Sequence, residues 1–158
     1  MSPTLVANTT LQEVTGRLFA EGDPQAATKL REQQHVAIVT DQLAALLAGN
    51  PDGFVAHLDP DVEIHLHTPP EFDMISYARG PEATRDLLIH NFGLLADQQA
   101  EILSIVAQGD TVVMVAREHG RIIASDQPYQ VYFVAQYVFR DDKLAFVRQI
   151  GSTGSVAA

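Results

Sequence analysis

The stretch LAALLAGNPDGFVAHLDPDVEIHLH, Leu43 to His67, decides the fold. Leu43, Leu46 and Leu47 continue an apolar stripe begun at Val36 and Val39, with the three- and four-residue spacing of one helix face. Gly49-Asn50-Pro51 stops that helix, predicted over residues 29–48, because proline cannot continue the hydrogen-bond ladder and glycine suits a helix end. Asp52 is expected to cap a second, shorter helix carrying Phe54, Val55 and Leu58. Asp59-Pro60-Asp61 then turns the chain into VEIHLH. Alternation there puts Val62, Ile64 and Leu66 on one face, and Glu63, His65 and His67 on the other.

Upstream, TTLQEVTGRLFAE (9–21) reads as a short helix ended by Gly22-Asp23-Pro24, so residues 1–28 form an N-terminal arm. Downstream, residues 68–80 form an irregular loop with Pro69, Pro70, Phe72, Met74 and Tyr77. A third helix follows from Pro81, a favourable first-turn residue, to about residue 96. Strand-like segments cover 101–108, 111–123, 128–139 and 143–150, with Gly109-Asp110 and Asp141-Asp142 at hairpin positions. Helices first and antiparallel strands last is the α+β pattern. The main domain is expected to span 29–151, with 152–158 expected as a flexible, small-residue tail.

A chain of 158 residues fits one domain and closes a core without staples. Twenty acidic residues against ten basic ones give a net charge of −10, which repels phosphate backbones and anionic lipid surfaces. Nucleic acid and membrane are therefore not expected as partners. The absence of cysteine excludes disulfides, thiolate nucleophiles and thiolate metal sites. No apolar run is long enough to span a bilayer, and the first residues lack the pattern of a signal peptide. A cytoplasmic location is expected.

Four segments in this order, AALLAGNPDGFVAHLDPDVEIHLH, RGPEATRDLL, QGDTVVMVARE and YVFRDDKLAFVRQI, make the chain resemble the nuclear-transport-factor-2-like superfamily and its SnoaL-like polyketide cyclase branch. The resemblance covers about residues 33–151. It implies three main helices packed on a strongly curved, mostly antiparallel sheet, forming a cone with an internal pocket. It also implies a homodimer paired through the outer sheet face, since an exposed apolar sheet face is otherwise a liability.

Related ketosteroid isomerases use a helix tyrosine, an aspartate base on the first strand and a protonated aspartic acid on a later one. Those positions fall on Gln42, on Leu66 and near Ala135, so that mechanism is not expected. Gln42 and Leu66 remain candidate ligand contacts. Limonene epoxide hydrolase resembles the chain at Arg117-Glu118-His119 and Arg148-Gln149-Ile150. Its arginine is kept at Arg117, while its acids become His119 and Gln149.

Arg117 and His119, two apart on one strand, share a face with Val113 and Val115. An arginine there can orient a carbonyl or carboxylate, and a histidine can move protons near neutral pH. These two are the expected catalytic residues. Gln149, Tyr137, Tyr129 and Phe72 join Leu66 and Gln42 as expected substrate contacts, with residues 68–79 as a lid. His65-x-His67 followed by Glu71 resembles the first metal motif of cupins, whose second motif and all-β context are missing.

Three functional readings remain. The first is a cofactor-independent acid–base enzyme (cyclase, isomerase, dehydratase or epoxide-opening) acting on a small apolar oxygenated metabolite of polyketide, terpenoid or steroid type. The second is a non-catalytic module for small-molecule binding or dimerisation. The third is a metal-dependent oxygenase or hydrolase through His65, His67 and Glu71.

Overall fold

A computed structural model describes residues 24–153. Three helices pack against a six-stranded mixed sheet that stays open. Helix α1 (Pro24–Leu47) and the short α2 (Pro51–Val55) lead into β1 (Leu58–His67). A 3₁₀ turn (Pro70–Phe72) and β2 (Tyr77–Arg79) precede α3 (Pro81–Phe92). Then come β3 (Leu95–Gln108), β4 (Thr111–Ile122), β5 (Gln127–Arg140) and β6 (Lys143–Ser152). The sheet order is β2-β1-β6-β5-β4-β3, and every pairing is antiparallel except β1 with β6. The arm helix expected over residues 9–21 lies outside the described residues.

Several boundaries differ from expectation for local reasons. α1 starts at Pro24 rather than residue 29, because proline suits a first turn as well as it ends a preceding one. The cap of α2 is Asn50, whose side chain accepts from the Gly53 amide at 3.2 Å; Asp52 instead pairs with Arg85. Asp59-Pro60-Asp61 lies inside β1 at an irregularity of its pairing with β6, where proline's missing donor is tolerated. α3 ends at Phe92, four residues early, and β3 begins at Leu95, since Gly93 closes the helix on Ile89. Asp141 and Asp142 both take positive φ in the β5–β6 turn, as a two-residue hairpin of this hand requires.

The helices cover one sheet face, and the main core lies between them. Val39 and Leu87 from the helices meet Val62, Val112, Met114 and Leu144 from the strands, all essentially fully buried. Removing one such side chain from water contributes about 1.5–3 kcal/mol. Two buried polar residues fix α1. His35 stacks on Phe139 at 4.1 Å and reaches Asp142 at 3.3 Å, and Gln42 donates to the Phe54 carbonyl at 3.0 Å. The other sheet face leaves Leu103, Val106, Tyr132, Val134 and Ile150 exposed. Among the described residues no helix is long and apolar enough to cross a membrane.

Candidate functional site

Between the helices and the inner sheet face is a cavity of about 120 Å³. Leu43 and Leu46 of α1, Leu87 and Leu88 of α3, and Ile64, Phe133 and Val147 of the sheet make its walls mostly apolar. At roughly 10–15 Å³ per water-sized sphere, that space equals about ten waters, the size of a one- or two-ring molecule.

The parity of β4 decides which of its residues enter this space. Val112, Met114 and Ala116 are buried, and the next residue of that series is Glu118. Glu118 lines the cavity, whereas Arg117 and His119 belong to the series of Val113 and Val115 on the outer face. Arg117 pairs there with Glu101 across the β3–β4 ladder, a contact that raises its already high pKa, and His119 is exposed. The structure therefore does not bring the two expected catalytic side chains to the pocket. The physical reason is the two-residue period: an assignment displaced by one position places every side chain on the wrong face.

Glu118 is held by its neighbours on both strands. The Tyr129 hydroxyl donates to Glu118 Oε1 at 2.6 Å, and Gln98 Nε2 donates to the same oxygen at 3.3 Å. Among the described residues Oε2 has no partner. Burial, and then the bond to Glu118, push the Tyr129 pKa well above its ordinary value of 10, so the ring stays a neutral donor. The Phe72 ring meets Tyr129 edge-on at 5.2 Å, which fixes the ring from the loop side.

Two backbone devices make this arrangement possible. Between Ala96 and Gln99 of β3, two residues face the single Gly120 of β4, a bulge with Asp97 at φ 55°. A bulge re-aims the side chains around it, and here Gln98 reaches the cavity. Gly120 pairs with Tyr129, and a Cβ at 120 would lie 2.9 Å from the Tyr129 hydroxyl and 2.8 Å from the Ala96 carbonyl oxygen. Only glycine leaves room for the tyrosine to lie across β4 toward Glu118.

Each residue singled out as a substrate contact, Gln149, Tyr137, Tyr129, Leu66, Gln42 and Phe72, lines the cavity. Gln149 pairs with Leu66 on one side and Ala135 on the other, at mid-depth. The loop expected as a lid is a fastened wall. Asn91 accepts from the Ile75 amide at 2.8 Å and donates to the Ile75 carbonyl at 2.9 Å, and Leu66 donates to the Ser76 carbonyl. Phe72 and Met74 face inward, and Tyr77 is half exposed beside His65. His65 contacts Glu63 at 3.1 Å on the outer face. Among the described residues no three His, Asp or Glu side chains converge as a metal set.

Glu118, Gln98, Gly120 and Asn91 are the residues that sequence reasoning missed. One signal is available for Glu118. Tyr129, Val131 and Phe133 are spaced two apart and so share one face of their strand, and closing the β4–β5 hairpin puts Glu118 opposite Val131 on that face. The turn at 123–126 lacks a glycine, so its register is not written in the sequence.

The family model for the SnoaL-like domain matches residues 39–147. None of the curated proteins matches the chain. Solved structures share the fold. An NTF2-like protein from Burkholderia xenovorans LB400 is 26% identical, covering 77% of this chain and 92% of that one, with a TM-score of 0.64. An LEH-like epoxide hydrolase from M. tuberculosis is 20% identical, covering 77% and 84%, with a TM-score of 0.62. TerC, co-crystallised with polyporic acid, is 18% identical, covering 75% and 92%, with a TM-score of 0.64.

Proposed function

We propose that this chain, which belongs to the SnoaL-like domain family, is a cofactor-independent acid–base enzyme acting on a small, mainly apolar, oxygenated molecule. The observation that carries this reading is a carboxylate inside an apolar cavity, with one oxygen fixed by two donors and the other without a partner among the described residues. A base must be held in place and must keep a lone pair facing the substrate. Tyr129 and Gln98 do the first, and Glu118 Oε2 provides the second.

The chemistry suited to this arrangement is proton transfer next to a carbonyl. Glu118 Oε2 takes a proton from the carbon beside the carbonyl, and the C–H electron pair moves to form an enolate. The protonated Glu118 then returns the proton to the same or a conjugated carbon, so an isomerisation leaves atoms and charge balanced. Gln149, whose amide has no partner among the described residues, can donate to the carbonyl oxygen as its charge grows. Opening of an epoxide by a Glu118-activated water is the second chemistry open to the same carboxylate; the LEH-like epoxide hydrolase shares this fold.

The cavity volume favours a monocyclic or bicyclic polyketide- or terpenoid-like compound over a four-ring steroid. The acids of related enzymes are replaced at Leu66, His119 and Gln149, which favours a non-catalytic module, but Glu118 supplies a carboxylate from another position. Turnover on a panel of small cyclic ketones, enones and epoxides tests the proposal. Wild-type activity that vanishes in a folded Glu118→Gln variant is the expected result. Activity retained in that variant would remove Glu118 from the mechanism.

A further inference from the structure

We infer that the inner end of the cavity is a subsite for a neutral hydroxyl group, built on Gln42 and Tyr137. Gln42 is 1% exposed and lines the cavity. Its Nε2 donates to the Phe54 carbonyl, and its Oε1 is buried without a partner among the described residues. The amide cannot be turned over, because that would set Oε1 against the Phe54 carbonyl oxygen. Gln42 therefore presents a fixed acceptor. A buried amide oxygen without a donor is costly, and a ligand hydroxyl or N–H recovers that loss.

Tyr137 adds the complementary group. Its ring is buried, its hydroxyl has no hydrogen-bond partner among the described residues, and it lines the same cavity. Burial alone pushes its pKa up, which keeps it a neutral donor. An acceptor and a neutral donor suit an alcohol or phenol. They do not suit a carboxylate, which would face Gln42 Oε1 with no cation lining the cavity among the described residues.

The subsite is distinct from the Glu118 end. Glu118 pairs with Val131, and Tyr137 lies six residues further along β5, about 20 Å of strand. Phe72, Leu95 and Tyr129 form their own apolar cluster at the Glu118 end, whereas Tyr137, Val39 and Phe54 belong to the main core. The inference rests on the cavity receiving a ligand, as proposed above, but not on Glu118 acting as a base.

Binding of phenol, toluene and benzoate to the full chain, followed by calorimetry, tests it. Phenol is expected to bind about tenfold more tightly than toluene, the worth of one buried hydrogen bond, and benzoate more weakly than phenol. Gln42→Met and Tyr137→Phe are expected to reduce the phenol preference. Tyr137→Phe deletes a hydroxyl without a partner among the described residues, so it keeps the fold even where Gln42→Met does not. Phenol and toluene binding within twofold of each other would overturn the subsite. So would a preference unchanged in Tyr137→Phe and in any folded Gln42→Met. A preference lost in Glu118→Gln but kept in both inner variants would also overturn it, while leaving the acid–base reading intact.

Discussion

Replacing Gly120 by alanine probes the support of Glu118 without touching the carboxylate. The added Cβ would sit 2.8 Å from the Ala96 carbonyl oxygen, 2.9 Å from the Tyr129 hydroxyl and 3.0 Å from Tyr129 Cε1. The Ala96 carbonyl belongs to the neighbouring strand and cannot move far, so the tyrosine must give way. Overpacking of this kind costs about 1–3 kcal/mol. Displacing Tyr129 also loses its bond to the Glu118 carboxylate, worth about 2 kcal/mol for a charge-assisted contact. Gly120→Ala is therefore expected to cost about 4 kcal/mol, and Tyr129→Phe about 2 kcal/mol. Because both remove the same hydrogen bond, the double variant should cost about 4 kcal/mol rather than the additive value of about 6 kcal/mol. Urea unfolding of the four proteins measures the cycle directly. Additivity within about 0.5 kcal/mol would refute the idea that Gly120 exists to seat Tyr129.

Stability in alkali should follow the two buried tyrosines. Tyr129 and Tyr137 are both held protonated above their ordinary pKa of 10, by burial first and, for Tyr129, by Glu118 as well. Their contribution is complete below pH 10 and is lost as pH rises beyond it, since the unfolded chain releases protons that the native state retains. Unfolding free energy should thus be level from about pH 7 to 9 and then fall by up to about 1.4 kcal/mol per tyrosine per pH unit, with a shallower fall in Tyr137→Phe. Asn91→Ala should release the loop at Ile75, with hydrogen exchange of the Ile75 amide faster than in wild type; unchanged exchange would mean that the two Asn91 bonds do not fasten the wall. Arg117→Ala and His119→Ala, both on the outer face, should leave cavity-ligand affinity at the wild-type value. A clear loss in either would show that these side chains reach the ligand after all.

The architecture was legible because its punctuation is local. Gly49-Asn50-Pro51, Pro81 and Asp141-Asp142 fix ends and turns through backbone chemistry that needs no tertiary context. The cavity contacts on β5 were legible too, since Tyr129, Phe133 and Tyr137 alternate with polar or exposed positions. β4 offered no such contrast. Val113 and Val115 look more core-like than Met114 and Ala116, yet they cover the outer face. With both faces apolar, only the register across the β4–β5 turn identifies the inner one. Gln98 was unreadable for a different reason, because it owes its direction to a bulge opposite Gly120, and neither strand alone announces that pairing.

The central claim, that Glu118 is a working base in this cavity, is tested most directly by deuterium uptake at the carbons beside the carbonyl of cyclohexanone in D₂O, followed by NMR. Wild-type protein should accelerate exchange. Glu118→Gln should lower the protein-catalysed rate by about 100-fold or more, the usual worth of a positioned base, while His119→Ala matches wild type. No acceleration by the wild type, an undiminished rate in Glu118→Gln, or a loss confined to His119→Ala would contradict the account.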